Sequence, residues 1–255
     1  MIKASELKNY ARTYHVPTST IERDYTQSWL LVHLPKMALK GGTGLRKAYF
    51  PDYRFSDDLD FTLTEQRTMH ELQQQILEAV QHTRKDSSIP FFDTIEAEEV
   101  DNGYVFSISF RILRESGSPI TIKIDITKKE NEIIITPLQK KNVFHMYSDT
   151  IQTMVMTYSL EEIFAEKVRA LFERTRPRDM YDIWYLSKNT TFNPLLLKKK
   201  CEFKKVDIDI ENVISRKSKF ERAWESSLRH QMKNLPKAEA IFENVIHFLQ
   251  DNIRI

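Results

Sequence analysis

This sequence holds very little cysteine, very little glycine and no long hydrophobic run. One cysteine, Cys201, stands among 255 residues, which excludes an internal disulfide and a thiolate zinc cluster. No stretch approaches the roughly 20 apolar residues that cross a bilayer. Met1 to Glu6 lacks the apolar segment of a secretory signal, so a reducing, cytoplasmic setting without membrane association is expected. The seven histidines are scattered without ligand spacing, which argues against a histidine metal site. There is no internal repeat, low-complexity tract or Gly/Ser linker. Charge of one sign is also missing: 38 Lys and Arg against 36 Asp and Glu leave +2. With 41% hydrophobic and 29% charged residues, the chain reads as an ordinary globular protein of one large or two modest domains.

What glycine there is lies in one place. Three of the five glycines, Gly41, Gly42 and Gly44, fall within four residues. Glycine serves where φ must be positive or where a ligand approaches the backbone closely. A chain this sparing with glycine that concentrates it in one loop needs unusual backbone there.

Around that loop the periodicities alternate between strand and helix. Ile21, Tyr25, Trp29 and Val32 recur at helical spacing until Pro35, with Ser19 and Glu22 at the capping-box interval. Met37 to Leu39 reads as a short buried strand entering the glycines, and Leu45 to Phe50 as a short helix. Asp58 to Leu63 alternates polar and apolar residues as a strand does. Residues 66 to 84 suit an amphipathic helix. Tyr104, Phe106, Ile108, Phe110 and Ile112 predict one strand, Ile120, Ile122, Ile124 and Ile126 the next, and Glu132 to Thr136 a third. From Ser159, which pairs with Glu162 as a second capping box, the pattern turns helical. Pro177 then fits the first residue of a further helix. The expectation is an α/β (α+β) sheet domain over 1–150 with N-terminal helices, followed by a helical domain over 151–255.

Three features point to chemistry. The turn Gly41-Gly42-Thr43 lies between a strand and a helix, where backbone N–H groups and the helix dipole suit phosphate; a helix entry without a ligand explains the same glycines. Asp58 and Asp60, two apart on a strand, project from one face while Leu59 faces the core. Neighbouring carboxylates repel unless a cation or proton neutralises them, and two oxygen ligands on one strand suit Mg²⁺ chemistry on phosphates. Two exposed acids on an edge strand are the plainer alternative. Asp125 sits between Ile124 and Ile126 on the polar face of its strand, either as a solvated position or as a third acid. Asp57 points away with Leu59 and reads as structural.

The run Gly41-Gly42-Thr43, followed by Arg54-Phe55-Ser56-Asp57-Asp58-Leu59-Asp60-Phe61, resembles the first motif of the polymerase-β-like nucleotidyltransferase superfamily. The likeness is to the AbiEii/AbiGii toxin-type branch, which includes MenT-like toxins. It extends to Ser159-Leu160-Glu161-Glu162-Ile163-Phe164-Ala165-Glu166-Lys167 and to Arg176-Pro177-Arg178-Asp179-Met180-Tyr181-Asp182, so recognisable motifs run from about residue 37 to 186.

The resemblance implies a mixed sheet flanked by helices and a helical C-terminal domain that carries Lys167 and the Arg-Asp-x-x-Asp motif. It implies that Gly41, Gly42 and Thr43 hold the triphosphate of an NTP, with threonine where many members have serine. Asp58, Asp60 and Asp125 would bind two Mg²⁺ ions, for which Mn²⁺ can substitute, and Asp125 would also help remove a proton from the attacking hydroxyl. Lys167 would contact phosphate or nucleotide, although a lysine on an amphipathic helix is commonly a solvated face. Asp179 and Asp182, one helical turn apart, are either catalytic or structural, and a salt link from Asp179 to Lys167 or Arg178 serves both readings. Arg54 and Ser56 either contact phosphate or brace the acidic strand.

The function so implied is Mg²⁺-dependent transfer of NMP from an NTP to an acceptor, with pyrophosphate leaving. The leading acceptor is tRNA. The chain would be the toxin of a bacterial toxin–antitoxin or phage-defence system with a cognate antitoxin protein as partner. Transfer to a protein or small molecule, or a non-catalytic nucleic-acid or partner-binding module, are the alternatives. Residues 195–237 hold 12 Lys or Arg against 6 Asp or Glu, a surface that suits RNA phosphates or simply solvated helix faces.

Overall fold

The protein is described by a computed structural model over residues 1–253; the last two residues of the helical domain expected over 151–255 lie outside it. The chain divides into two compact units, Met1–Glu132 with Leu138–Tyr158, and Ile133–Pro137 with Ser159–Ile255. Among the described residues no helix is long and apolar enough to cross a membrane.

The first unit opens with helices α1 (Ala4–Tyr14) and α2 (Thr18–His33). α2 begins directly after Pro17, so the Ser19–Glu22 capping box does not form. Glu22 is buried, and its carboxylate accepts from the Leu113 N–H instead. Strand β1 (Ala38–Lys40) leads into α3 (Gly41–Gly44), whose helix continues as a π-helical turn over Leu45–Tyr49. Then come β2 (Leu59–Thr62) and α4 (Met69–Ser87). α4 carries a full capping box, in which Thr68 and Glu71 each accept from the other's N–H.

The remaining strands are β3 (Phe91–Val100), β4 (Gly103–Phe110), β5 (Ile120–Thr127), β6 (Gln139–Asn142) and β7 (Met154–Thr157). Among the described residues these seven strands form one mixed sheet in the order β3-β4-β5-β2-β1-β7-β6. β2 runs parallel to β5 and antiparallel to β1, and β1 runs parallel to β7. Leu39, Leu59, Phe61, Phe106, Ile108, Phe110, Ile122, Ile124 and Ile126 supply the apolar face and join one core with Ile21, Tyr25, Leu30, Leu72, Ile76 and Val80 from α2 and α4. The opposite face carries the alternating polar positions, Asp60 and Asp125 among them.

Behind the glycine turn, α2 and the π-helical turn are joined by buried charge. Asp24 is 1% exposed; its carboxylate takes Arg46 Nε at 2.7 Å and Lys47 Nζ at 2.8 Å, and Tyr147 donates to it at 3.0 Å. Lys47 also donates to the Asp24 carbonyl and to Ser28 Oγ, and the Arg46 guanidinium lies over the Phe55 ring. Burial pushes the Asp24 carboxyl up, but Lys47 and then Arg46 overcome it and hold the group well below the usual carboxylate range.

The second unit is helical: α5 (Leu160–Glu173), α6 (Pro177–Asn189), α7 (Pro194–Lys204), α8 (Ile210–Ser215), α9 (Lys217–Leu228) and α10 (Ala238–Asn252). Pro177 is the first residue of α6, as its fixed φ favours. Phe164, Phe192 and Phe248 pack with ring centroids 5.0–5.4 Å apart. The strand expected over 132–136 is absent. Glu162 accepts from the N–H groups of Ile135 and Thr136, so this segment lies on α5 and not in a ladder. Ser159 caps α5 by accepting from the Glu162 N–H, while the Glu162 carboxylate, engaged with the segment, also meets the fully buried Lys200 at 2.6 Å.

Removing one member of a buried ion pair leaves an uncompensated charge. Asp24→Asn should therefore destabilise the protein by about 3–5 kcal/mol in urea unfolding. Because Asp24 has a depressed folded pKa, its contribution is complete above its unfolded value near 4 and is lost as pH falls below that value. The wild-type advantage over Asp24→Asn should shrink progressively on acidification; an advantage that is constant down to acid pH would contradict the ion-pair account.

Candidate active site

β1 ends at Lys40, and the chain turns at Gly41 with φ +66°, a left-handed conformation that favours glycine. A Cβ at Gly41 would collide with the Asp60 carboxylate, so Asp60 lies against the bare Cα of the turn. A Cβ at Gly42 would come within 2.9 Å of the Arg54 guanidinium and 3.0 Å of Ser56 Oγ. Thr43, buried, donates its hydroxyl to the Asp58 carbonyl. The glycine turn is thus packed against the segment 54–60, and Gly41, Gly42, Thr43, Arg54, Ser56, Asp58 and Asp60 are neighbours in space.

Arg54 is buried; its guanidinium donates to the Phe55 carbonyl at 3.1 Å and lies over the Tyr53 ring. Asp57 pairs with Arg23 at 2.9 Å, away from this cluster. Asp58 differs from expectation in one respect: the strand begins at Leu59, and Asp58 sits in the bend before it. Strand alternation therefore does not aim its side chain, and the Thr43 hydroxyl holds its backbone carbonyl.

Asp125 joins through the sheet. Across the parallel β2–β5 ladder its Cα partner is Asp60, while Leu59 faces Ile124 and Phe61 faces Ile126. Partners on adjacent strands carry their side chains on one face, so Asp60 and Asp125 project together, opposite the isoleucine and leucine core. Both are half-buried. Among the described residues no group of three or more His, Cys, Asp or Glu is gathered closely enough to hold a metal ion by itself. The donor set still suits Mg²⁺, which commonly takes one or two carboxylates and completes its octahedron with water and substrate phosphates.

The other expected residues form a second cluster inside the helical unit. Lys167 Nζ on α5 lies 2.9 Å from Asp179 Oδ1 and 2.8 Å from Asp182 Oδ2, both fully buried on α6. Arg174 adds Nε at 2.8 Å from Asp179 Oδ2 and a second guanidinium bond at 3.2 Å to Oδ1. Burial raises the Asp179 carboxyl, and Lys167 followed by Arg174 bring it well below the ordinary range. Asp179 and Asp182 therefore tie α6 to α5 and fix the Lys167 ammonium.

Three of the twelve cations in the basic run over 195–237 are engaged within the fold. Lys200 is buried against Glu162 and Glu166, Arg216 donates to the Leu171 carbonyl and to Thr175, and Lys217 faces Glu221, Glu239 and Glu243. Lys198 remains 70% exposed. Sequence reasoning missed Lys40, Arg46 and Lys47, although all three flank the glycines; a lysine or arginine beside a turn carries no periodic signal of burial.

A family model described as "Nucleotidyl transferase AbiEii toxin, Type IV TA system" matches residues 28–246. A search of curated proteins by sequence gives no match. Among solved structures, the chain is similar to MenT4, a nucleotidyltransferase toxin from Mycobacterium tuberculosis, at 16% identity and a TM-score of 0.66, covering 98% of this chain and 90% of that one. It is also similar to JHP933 from Helicobacter pylori, at 19% identity and a TM-score of 0.62, covering 92% of each. At these identities the structural likeness speaks for a shared fold, and the family match, over most of the chain, supplies the rest. The chain belongs to the AbiEii family of nucleotidyltransferase toxins of type IV toxin–antitoxin systems.

Proposed function

We propose that this nucleotidyltransferase transfers NMP from an NTP to tRNA in a Mg²⁺-dependent reaction, as the toxin of a phage-defence module opposed by a cognate antitoxin protein. One observation carries the site assignment: Asp60 lies against the Cα of Gly41 and is the register partner of Asp125 on the next strand. An anion site and two carboxylates on one rigid surface are what phosphoryl-group chemistry needs, because its catalysis is mostly positioning and charge stabilisation.

In this reading the backbone N–H groups of Gly42 and Thr43 bind the triphosphate, as helix-entry turns do. Arg54 and Ser56, packed against Gly42, brace the turn from behind. Asp58, Asp60 and Asp125 would hold the Mg²⁺ ions, which when bound neutralise phosphate charge at the entering and departing oxygens. Asp125 accepts the proton of the attacking tRNA hydroxyl, and no covalent enzyme intermediate is required. Within the helical unit, Lys167 is the residue we assign to nucleotide contact, with Asp179 and Asp182 as the acids that fix its ammonium. Exposed lysines such as Lys198 are available to RNA phosphates.

Incubation with each α-labelled NTP, Mg²⁺ and total tRNA tests the proposal. Label should enter tRNA, and Asp60→Ala and Asp125→Ala should each lower the rate by at least about 10²-fold, the loss typical of a removed charge-stabilising group, with an unchanged circular-dichroism spectrum. Label entering protein or a small molecule but never RNA would overturn the acceptor assignment. No labelled product under any condition would overturn the transfer reaction.

The close approach at Gly41 gives a further check. Gly41→Ala forces a left-handed alanine, at about 1–2 kcal/mol, and drives a methyl group into the Asp60 carboxylate. Thermal unfolding should shift modestly while transfer falls by at least about tenfold, because the carboxylate must move. A variant with full activity would show that Asp60 need not sit against the turn.

A further inference from the structure

Lys40 occupies a position that neither the motif nor the burial pattern explains. It is the last residue of β1, immediately before the glycine turn, and its Cα partner across the antiparallel β1–β2 ladder is Asp60. Asp60 in turn faces Asp125 across β2–β5. Directly opposed residues share a face. One transverse row across three neighbouring strands therefore reads Lys40, Asp60, Asp125, a cation beside two acids.

The packing agrees with that placement. Leu39, the preceding residue, faces the core opposite Phe61, which turns Lys40 to the acid face. Lys40 Nζ lies 5.6 Å from the centroid of the Tyr158 ring, whose hydroxyl donates at 2.7 Å to Thr62, two residues beyond Asp60 on β2. Outside the row, Glu132 approaches the ammonium with its Oε2 at 3.9 Å and its side chain buried, while the Lys40 side chain is 13% exposed. A counter-ion role for Glu132 accounts for a lysine near that acid. It does not account for a lysine in register with Asp60.

Resting on the nucleotidyltransferase reading above, we infer that Lys40 is a positioning residue that sets the charge balance of the acid row. Its ammonium offsets part of the negative charge of Asp60 and Asp125 while the site awaits nucleotide. Uptake of a divalent cation alone is thereby discouraged, and uptake together with the triphosphate is favoured, because the polyanion interacts with the lysine and the cation at once. The Cα spacing of the row, one to two strands or about 5–10 Å, sets the scale over which the lysine charge acts. A single positive charge at that range in a water-exposed site changes the dissociation constant of a divalent ion about fivefold.

The test is Mn²⁺ binding to the full-length protein, followed by electron paramagnetic resonance without nucleotide, beside the KM for NTP in the transfer assay. Lys40→Met should bind Mn²⁺ alone about fivefold more tightly and show a KM for NTP raised by about the same factor, whereas Lys40→Arg should stay near wild type in both. The opposite signs are the signature, since a lysine that merely supports the fold would weaken both. Unchanged or weaker Mn²⁺ affinity in Lys40→Met overturns the inference even where NTP use declines. Should Lys40→Met fail to fold because the buried Glu132 loses the lysine charge beside it, Lys40→Met with Glu132→Gln, measured against Glu132→Gln alone, must show the same pair of shifts, and their absence overturns it equally. Wild-type protein without Mn²⁺ binding that Asp60→Ala abolishes would overturn the nucleotidyltransferase site assignment itself, a result distinct from a failure confined to Lys40.

Discussion

Because Asp60 and Asp125 are partners across the parallel β2–β5 ladder, a slip of one residue in that pairing would turn one of the two acids into the core. What prevents the slip is on the other side of the sheet. Leu59 and Phe61 of β2 and Ile124 and Ile126 of β5 are all buried, and β4 repeats the constraint by pairing Phe106 with Ile124 and Tyr104 with Ile126. The apolar face thus determines which polar residues meet on the opposite face. At the candidate site, charge geometry is a consequence of hydrophobic register.

A second constraint operates where no ladder exists. Asp24 binds Arg46 and Lys47 just after the glycine turn, Glu162 binds the segment 135–136 and Lys200, and Asp179 binds Lys167 and Arg174. Buried ion pairs give little or no net stability over well-packed apolar replacements, but the loss of one partner is severe. Their effect here is geometric. Each acid holds a helix end or an irregular segment to a neighbour in its own unit, at places where apolar packing alone would leave direction undetermined. The helix that starts at the turn is short and includes a π-helical stretch, and such stretches are frequent at functional sites. Anchoring at Arg46 and Lys47 therefore fixes a turn that its own short helix would hold poorly.

The parts legible in the sequence were those with one buried face and many residues. β4 and β5 announced themselves by strict alternation because each has a partner on both sides and a core on one. β3 was illegible: it is an edge strand with Asp93, Glu96, Glu98 and Glu99 exposed along it, and charged edges suppress the very pattern that identifies strands. β6 and β7 are four residues each, too short for a period. Glu132 to Thr136 misled because its isoleucines suit a strand, whereas a distant carboxylate claims its N–H groups. For the site, the glycine turn and the 58–60 acids were legible as a local motif. The pairing of residue 60 with residue 125 is a long-range fact that only the family likeness could anticipate.

Two carboxylates held side by side on a rigid sheet create a standing electrostatic problem, since their mutual repulsion raises the free energy of any state without a compensating charge. The row across β1, β2 and β5 contains both sides of that problem, with Lys40 on the strand next to the acids and the glycine turn at the same strand end. A lysine one strand away tempers the acids without occupying the space above them, because register fixes its backbone and its side chain leans toward Glu132 and Tyr158. Under the proposed charge balance, the acids Asp60 and Asp125 would favour a ligand that brings its own cation. In the proposed function a triphosphate at the glycine turn would meet that requirement, and the sheet would then select a metal–nucleotide pair over either component alone.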